Sequence, residues 1–283
     1  MNKKVYGGIL ILISSILMAI MNLFIKLMPK DFPSSEITFF RFIIGAFIIY
    51  LYAKAKKINI KPIRKKYVYL RAIFGGFAIL TLIISIKLTT LSQSIVLSNT
   101  FPIFSAIYLI LFFKESVRKT IWIYLLTSFL GMYLVANPNV TFNMGSIVAL
   151  SSGMIAGMAI IFIKKARETD NSFTIFFYLS LIGAIIAGIP TFTSHVIPNL
   201  YELTLLLGLS LAGTLGQLLM TYAFKFSSAT EAGIITLSTV IFSMLEGVWF
   251  FKESISTTMV VGTALILFSS IMVIIPGKER QIC

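Results

Sequence analysis

Thr236, Thr239, Ser243 and Glu246 follow one another at spacings of three, four and three, so a helix carries all four on one face. They stand in an apolar run, where polar groups are costly unless they face protein or water. A lone carboxylate in such a run is protonated, paired or wetted by a cavity. Glu246 therefore has two readings: a site for a substrate amine or a proton, or a structural pair with Arg41 or a residue at the outer interface. The hydroxyls also have two, lining a cavity or bonding their own helix backbone. Ser98, Phe101, Ser105 and Tyr108 repeat the same spacing earlier in the chain. Asn22 shares a face with Ser15, Ala19 and Lys26, and Asn99, Gln217 and Tyr222 are further polar groups in apolar surroundings. The candidate substrate-binding set is Asn22, Ser98, Asn99, Ser105, Tyr108, Gln217, Tyr222, Thr236, Thr239, Ser243 and Glu246. Trp249 stands either as a cavity wall or in an interfacial aromatic belt.

The remaining carboxylates read as structural. Glu36 and Arg41 open one apolar run and are expected to pair with each other. Glu231 is expected to cap a helix, and Glu115 and Glu253, beside Lys114 and Lys252, to form interfacial ion pairs and caps.

These residue types do not assemble catalysis. The single histidine, His195, sits near Pro198 in a polar break, and there is no His-Glu-x-x-His motif or aspartate pair. No Walker A motif is present, so the chain does not hydrolyse nucleotide itself. The one cysteine, Cys283, excludes an internal disulfide and a Cys-rich metal site, and it is misplaced for prenylation. Neither cofactor nor metal is expected.

The elements that carry the polar stripes are membrane-soluble. Of 283 residues, 58% are hydrophobic and 12% charged, too few charges to cover a soluble surface. A net charge of +14 suggests nucleic acid, but the basic residues alternate between loops rather than forming a stripe, which excludes that partner. Ten apolar stretches are long enough to cross a bilayer as helix: about 5–28, 36–54, 69–88, 93–113, 120–137, 145–165, 172–193, 201–223, 229–250 and 256–275. The first, behind Lys3 and Lys4, is too long for a signal peptide and reads as a span. Capping boxes open two spans, Thr90 to Gln93 and Ser228 to Glu231.

The chain is one unit written twice. Ile103-Phe104-Ser105 returns as Ile241-Phe242-Ser243, and Phe112-Phe113-Lys114-Glu115-Ser116 as Phe250-Phe251-Lys252-Glu253-Ser254, both at an offset of 138. Phe24-Ile25-Lys26 and Phe162-Ile163-Lys164, Gly45-Ala46 and Gly183-Ala184, Gly75 and Gly213, and Lys87 and Lys225 obey the same offset. The repeats are residues 1–140 and 141–283. Five spans per repeat is an odd number, so the halves must lie in opposite orientations about a two-fold axis in the membrane plane. The fold class is all-α integral membrane, ten transmembrane helices as two inverted five-helix repeats. Taking the N-terminus as inside, inside segments hold 19 Lys and Arg, eight of them in 54–71, and outside segments hold 4. The positive-inside rule then puts both termini in the cytoplasm, in the cytoplasmic (inner) membrane of the cell.

Two five-helix repeats, Pro102 late in a helix, and Phe-Phe-Lys-Glu-Ser between the fourth and fifth helix of each half resemble the EamA-type carriers of the drug/metabolite transporter superfamily. The likeness covers essentially the whole chain. One departure is Val240, which stands where the first half has Pro102, so the kink is expected to be missing from the ninth span. The resemblance implies a central cavity lined by helices one, three and four of each half, and import or export of small metabolites. That group includes amino-acid exporters and S-adenosylmethionine importers. The expected function is a secondary transporter that moves a small polar metabolite, such as an amino acid or an S-adenosylmethionine-like compound, by alternating access. A proton or counter-solute would supply the coupling. The competing readings are an intramembrane enzyme and a channel or assembly subunit. Small ridges, Ala149, Gly153 and Gly157, then Gly208, Ala212 and Gly216, mark close helix packing.

Overall fold

A computed structural model describes residues 3–89, 91–136, 143–192, 196–252 and 255–275. The helices of the first half are α1 (Lys3–Leu27), α2 (Ser34–Ala55), α3 (Lys65–Leu88), α4 (Leu91–Ser98), α5 (Phe101–Phe113) and α6 (Lys119–Ala136). Those of the second half are α7 (Met144–Ala166), α8 (Ser172–Thr191), α9 (Leu200–Ala223), α10 (Ala229–Thr236), α11 (Ser238–Phe251) and α12 (Thr257–Ile274). No strand occurs among the described residues. Among the described residues, nine segments are long and apolar enough to cross a membrane, with α4 and α5 counting as one and α10 and α11 as another. Lys119–Val135 is apolar but shorter, and the last residue of the span predicted there lies outside the described residues. The protein is a multi-pass integral membrane protein.

Most packing is between halves. α3 lies against α7 and α1 against α9, while α2 packs on α8 and α6 on α12. Exchanging the halves maps this pattern onto itself, as a two-fold relation requires. Hydrogen bonds repeat the relation atom by atom. Ser14 Oγ of α1 donates to the Gly216 carbonyl of α9, and Ser152 Oγ of α7 donates to the Ala78 carbonyl of α3, each at 2.8 Å. Both members of the second bond stand 138 residues from those of the first.

Polar contacts sort the loops into two ends. At one, Lys4 at the start of α1 pairs with Glu231 at the start of α10, at 2.8 Å. At the same end Lys164 reaches the Phe224 and Ser227 carbonyls, Lys165 pairs with Glu115, and Asp170 accepts from the Ile63 and Arg64 amides. We call this the basic end. At the opposite end Lys87 donates to the Pro29 and Lys30 carbonyls, and Gln93 donates to Ser146 near the start of α7. Thus α1 begins at the basic end and its counterpart α7 at the opposite one: the halves are inverted.

The repeated Phe-Phe-Lys-Glu-Ser block terminates a helix. Lys114 and Lys252 both adopt the left-handed conformation, with φ of 53° and 55°, which closes a helix end. Glu115 pairs with Lys165 of α7 rather than with its neighbour Lys114. Glu253 and the Thr90 cap lie outside the described residues, whereas the Ser228–Glu231 capping box is present.

Two expectations are corrected. The fourth and ninth spans are each broken, at Asn99–Thr100 and at Leu237. The ninth breaks without a proline, so the kink is not missing. Ser98 Oγ donates to the Ser94 carbonyl and Thr236 Oγ1 to the Ala232 carbonyl, the same bond in both copies. Such back-bonding bends a helix on its own, and Leu237 then closes on Ile234 three residues back. Glu36 and Arg41 do not pair either. Five positions at 100° each set them about 140° apart around α2. Glu36 instead accepts from the Val196 amide at 2.7 Å, and Arg41 lies against Gly213 of α9.

Candidate functional site

The first break meets α7, a helix that carries small residues, and the second packs on α1. A Cβ on Gly153 would come within 2.5 Å of Thr100 Oγ1 and 2.9 Å of the Leu97 and Ser98 carbonyls. One on Gly157 would meet Phe104 Cβ at 2.8 Å. The small ridge of α7 therefore admits the broken backbone between α4 and α5. The ridge of α9 likewise seats α1, with Gly208 against Phe24 and Gly216 against Leu17 and Met18.

Between these elements lies a cavity of about 160 Å³. The first half contributes α1, α3 and the α4–α5 pair, and the second contributes α7, α9 and the α10–α11 pair. These are helices one, three and four of each repeat. Arg41, from helix two of the first half, is an addition to that plan. Walls such as Met21, Ile79, Ile83, Phe101 and Met220 are apolar.

Of the predicted residues, Asn22, Ser98, Asn99, Gln217, Thr236 and Thr239 line the cavity. Ser98 and Thr236 spend their hydroxyls on their own helix backbone, while Asn22 Oδ1 and Thr239 Oγ1 have no partner among the described residues. Asn99 bonds the Ile95 carbonyl through Nδ2, which leaves its carbonyl oxygen to face other groups. Five predicted residues lie elsewhere. Ser105 is buried and donates to the Pro102 carbonyl, and Tyr108 stacks on Phe104 toward the basic end. Tyr222 sits near the basic end of α9 under the Arg167 guanidinium, 5.7 Å from its ring. Burial pulls the Arg167 pKa below its ordinary value, and Tyr222 and Asp170 oppose that shift. Ser243 and Glu246 follow Thr239 by four and seven residues, about 6 and 10 Å farther along α11. Among the described residues Ser243 Oγ has no partner, and the half-buried Glu246 has none either. Trp249 is largely exposed, as an interfacial residue would be.

Two residues that the sequence reading assigned elsewhere dominate the cavity. Arg41 and Arg71 both line it, and each is only 3% exposed. Arg71 ends the basic stretch 54–71 in sequence but is the seventh residue of α3. Its Nη2 donates to Gln217 Oε1 across the interface of the halves at 3.2 Å. Among the described residues, Arg41 Nη1 and Arg71 Nε have no partner and no Asp or Glu lines the cavity. The glycines Gly75 and Gly213, themselves related by the offset, make room: a Cβ on Gly213 would meet Arg41 Nε at 2.8 Å, and one on Gly75 would overlap Arg71 Nη1.

The family model described as the EamA-like transporter family matches residues 5–137 and again 143–275. The chain belongs to the EamA-like transporter family. It is a transporter of the drug/metabolite transporter superfamily, not an enzyme. Among its relatives are the pseudopaline exporter CntI of Pseudomonas aeruginosa strain UCBPP-PA14, 25% identical over 94% of each chain. Another is the S-adenosylmethionine uptake transporter of Rickettsia bellii, 22% identical over 90% of this chain and 89% of that one. A crystal structure 14% identical in sequence superposes with a TM-score of 0.78, over 95% of this chain and 97% of that one, and so shares the fold.

Proposed function

We propose that this transporter is a secondary carrier that moves a small polar metabolite by alternating access, with residues 1–140 and 141–283 as the two rocking units. The observation that carries the reading is the cavity between inverted halves, to which both halves contribute polar groups. A site at that interface is exposed to one side and then the other when like halves rock against each other. Relatives named for pseudopaline export and S-adenosylmethionine uptake support a small metabolite as cargo. The basic end faces the cytoplasm of the plasma membrane: with Arg71 moved into α3, inside segments keep eighteen of the nineteen Lys and Arg first counted there, against four outside. Both termini are then cytoplasmic. A proton or counter-solute gradient drives the cycle, with Glu246 the carboxylate within a span that would carry the proton.

Counterflow in proteoliposomes is the test. Saturable uptake that accelerates when the trans side is preloaded supports a carrier. Flux that does not saturate and ignores trans solute would replace it with a pore.

A further inference from the structure

We propose that Arg41 and Arg71, with Gln217, form an anion subsite that binds the carboxylate group of the transported molecule. This rests on the carrier reading and names the chemistry of its cargo.

Both guanidiniums are nine-tenths or more buried, both line one cavity, and neither has an acidic partner there among the described residues. Two like charges held together in an apolar chamber are costly. A structural role would pair each with a carboxylate, as Lys4 is paired with Glu231 and Lys165 with Glu115. Among the described residues of the cavity the one acceptor engaged is neutral, the Gln217 side-chain oxygen, and it serves Arg71 alone. The missing counter-charge is therefore one that arrives and leaves.

A guanidinium presents a planar fork that matches a carboxylate in two parallel hydrogen bonds. The free Nη1 of Arg41 and Nε of Arg71 are donors of that kind. The Gln217 amide, whose oxygen is held by Arg71, keeps its N–H groups to donate as well. A chamber of about 160 Å³ with Met and Ile walls suits a compact organic acid better than a heavily hydrated multivalent oxyanion. Asn22 Oδ1 and Thr239 Oγ1 remain to accept bonds from the rest of the ligand.

The test uses the detergent-purified full chain and its thermal unfolding midpoint at constant ionic strength. Sodium butyrate is titrated against its neutral isostere butyramide, and against inorganic phosphate and chloride. The expected result is a saturable rise with butyrate and none with butyramide. Arg41→Gln and Arg71→Gln should weaken the apparent butyrate affinity by about tenfold or more. Arg71→Lys, which keeps the charge but loses the fork, should weaken it as well. A rise that does not saturate, that survives in both Gln variants, or that phosphate or chloride matches would overturn the proposal. Should the Gln variants not fold, wild-type protein decides: butyrate must slow phenylglyoxal modification of Arg41 and Arg71, read by mass spectrometry, and unslowed modification sinks the subsite. Counterflow is a separate readout. Binding without flux would remove the carrier and leave the subsite, and flux indifferent to carboxylate would do the reverse.

Discussion

Arg71 of α3 and Gln217 of α9 are joined across the central cavity by a hydrogen bond of 3.2 Å. It ties the first half to the second beside the proposed anion site, and it engages Arg71 without neutralising it. Replacing the amide by a carboxylate would convert that contact into an ion pair. Gln217→Glu is therefore expected to raise the unfolding midpoint, since a buried cation gains a counter-charge, and to abolish transport because the ligand's place is taken. Thermal unfolding and uptake measured on the same preparation check this. Reduced stability together with retained uptake would be the wrong sign on both axes.

The small ridge of α7 gives a packing prediction. Gly153→Val places carbon against Thr100 and the Leu97 and Ser98 carbonyls, which are backbone and cannot swing away. Overpacking of this sort costs about 1–3 kcal/mol. Gly188→Ala is the control, because its nearest neighbour, the Phe39 ring, is at 3.5 Å, ordinary contact. Denaturant titration should separate the two variants clearly.

At the basic end, Lys4 and Glu231 join the start of α1 to the start of α10, each side chain 17% exposed. Glu231→Gln retains the capping-box geometry with Ser228 while removing the charge. The ion pair is then tested apart from the helix cap. The expected consequence is easier opening at this end. A cysteine introduced at Ser98 should react faster with a membrane-impermeant thiol reagent added from the basic side in Glu231→Gln than in the wild-type background. Equal rates would mean that the pair does not hold the end closed.

The left-handed lysines predict gains. A residue with a Cβ at φ near +55° is strained by about 1 kcal/mol, and glycine is not. Lys114→Gly and Lys252→Gly should each stabilise the protein by up to about that amount, less what glycine's freedom costs. Paired melting curves would show it, and a lowered midpoint in both would mean that the lysine side chains matter more than their backbone.

Glu246 separates coupling from binding. Half-buried in α11 and about 10 Å beyond Thr239, it is outside the cavity lining. Glu246→Gln is expected to flatten the pH dependence of uptake between pH 5 and 8 while leaving the butyrate response of the purified protein in place. Wild-type pH dependence in that variant would remove it as the proton carrier.

The duplication and the hydropathy made the architecture readable, because both are periodic properties of the chain and both survive burial. Part of the cavity was readable too: Asn22, Gln217 and Thr239 are polar groups in apolar runs, and lipid leaves such groups few places to go. The polar face of α11 runs on past the cavity, because a face has a direction but no length, and Thr239 is the last residue of α11 in the lining. The arginines were placed wrongly for an instructive reason. Arg71 follows Lys65 and Lys66 and was grouped with a basic loop, though six residues of helix lift it about 9 Å inward. Arg41 had a carboxylate five positions before it, and only the helical phase shows that Glu36 faces away. The break at Leu237 had no proline to announce it. The signal was Thr236, whose hydroxyl bends its own helix.

Arg41 and Arg71 both belong to the first half, and the offset puts Leu179 and Leu209 at their counterpart positions. Two identical five-helix chains meeting head to tail would present either four arginines or none to their shared chamber. Joining the copies into one polypeptide released them from that symmetry. One copy could then keep two cations at the chamber while the other filled the matching positions with Leu179 and Leu209, which pack into apolar clusters outside the cavity lining.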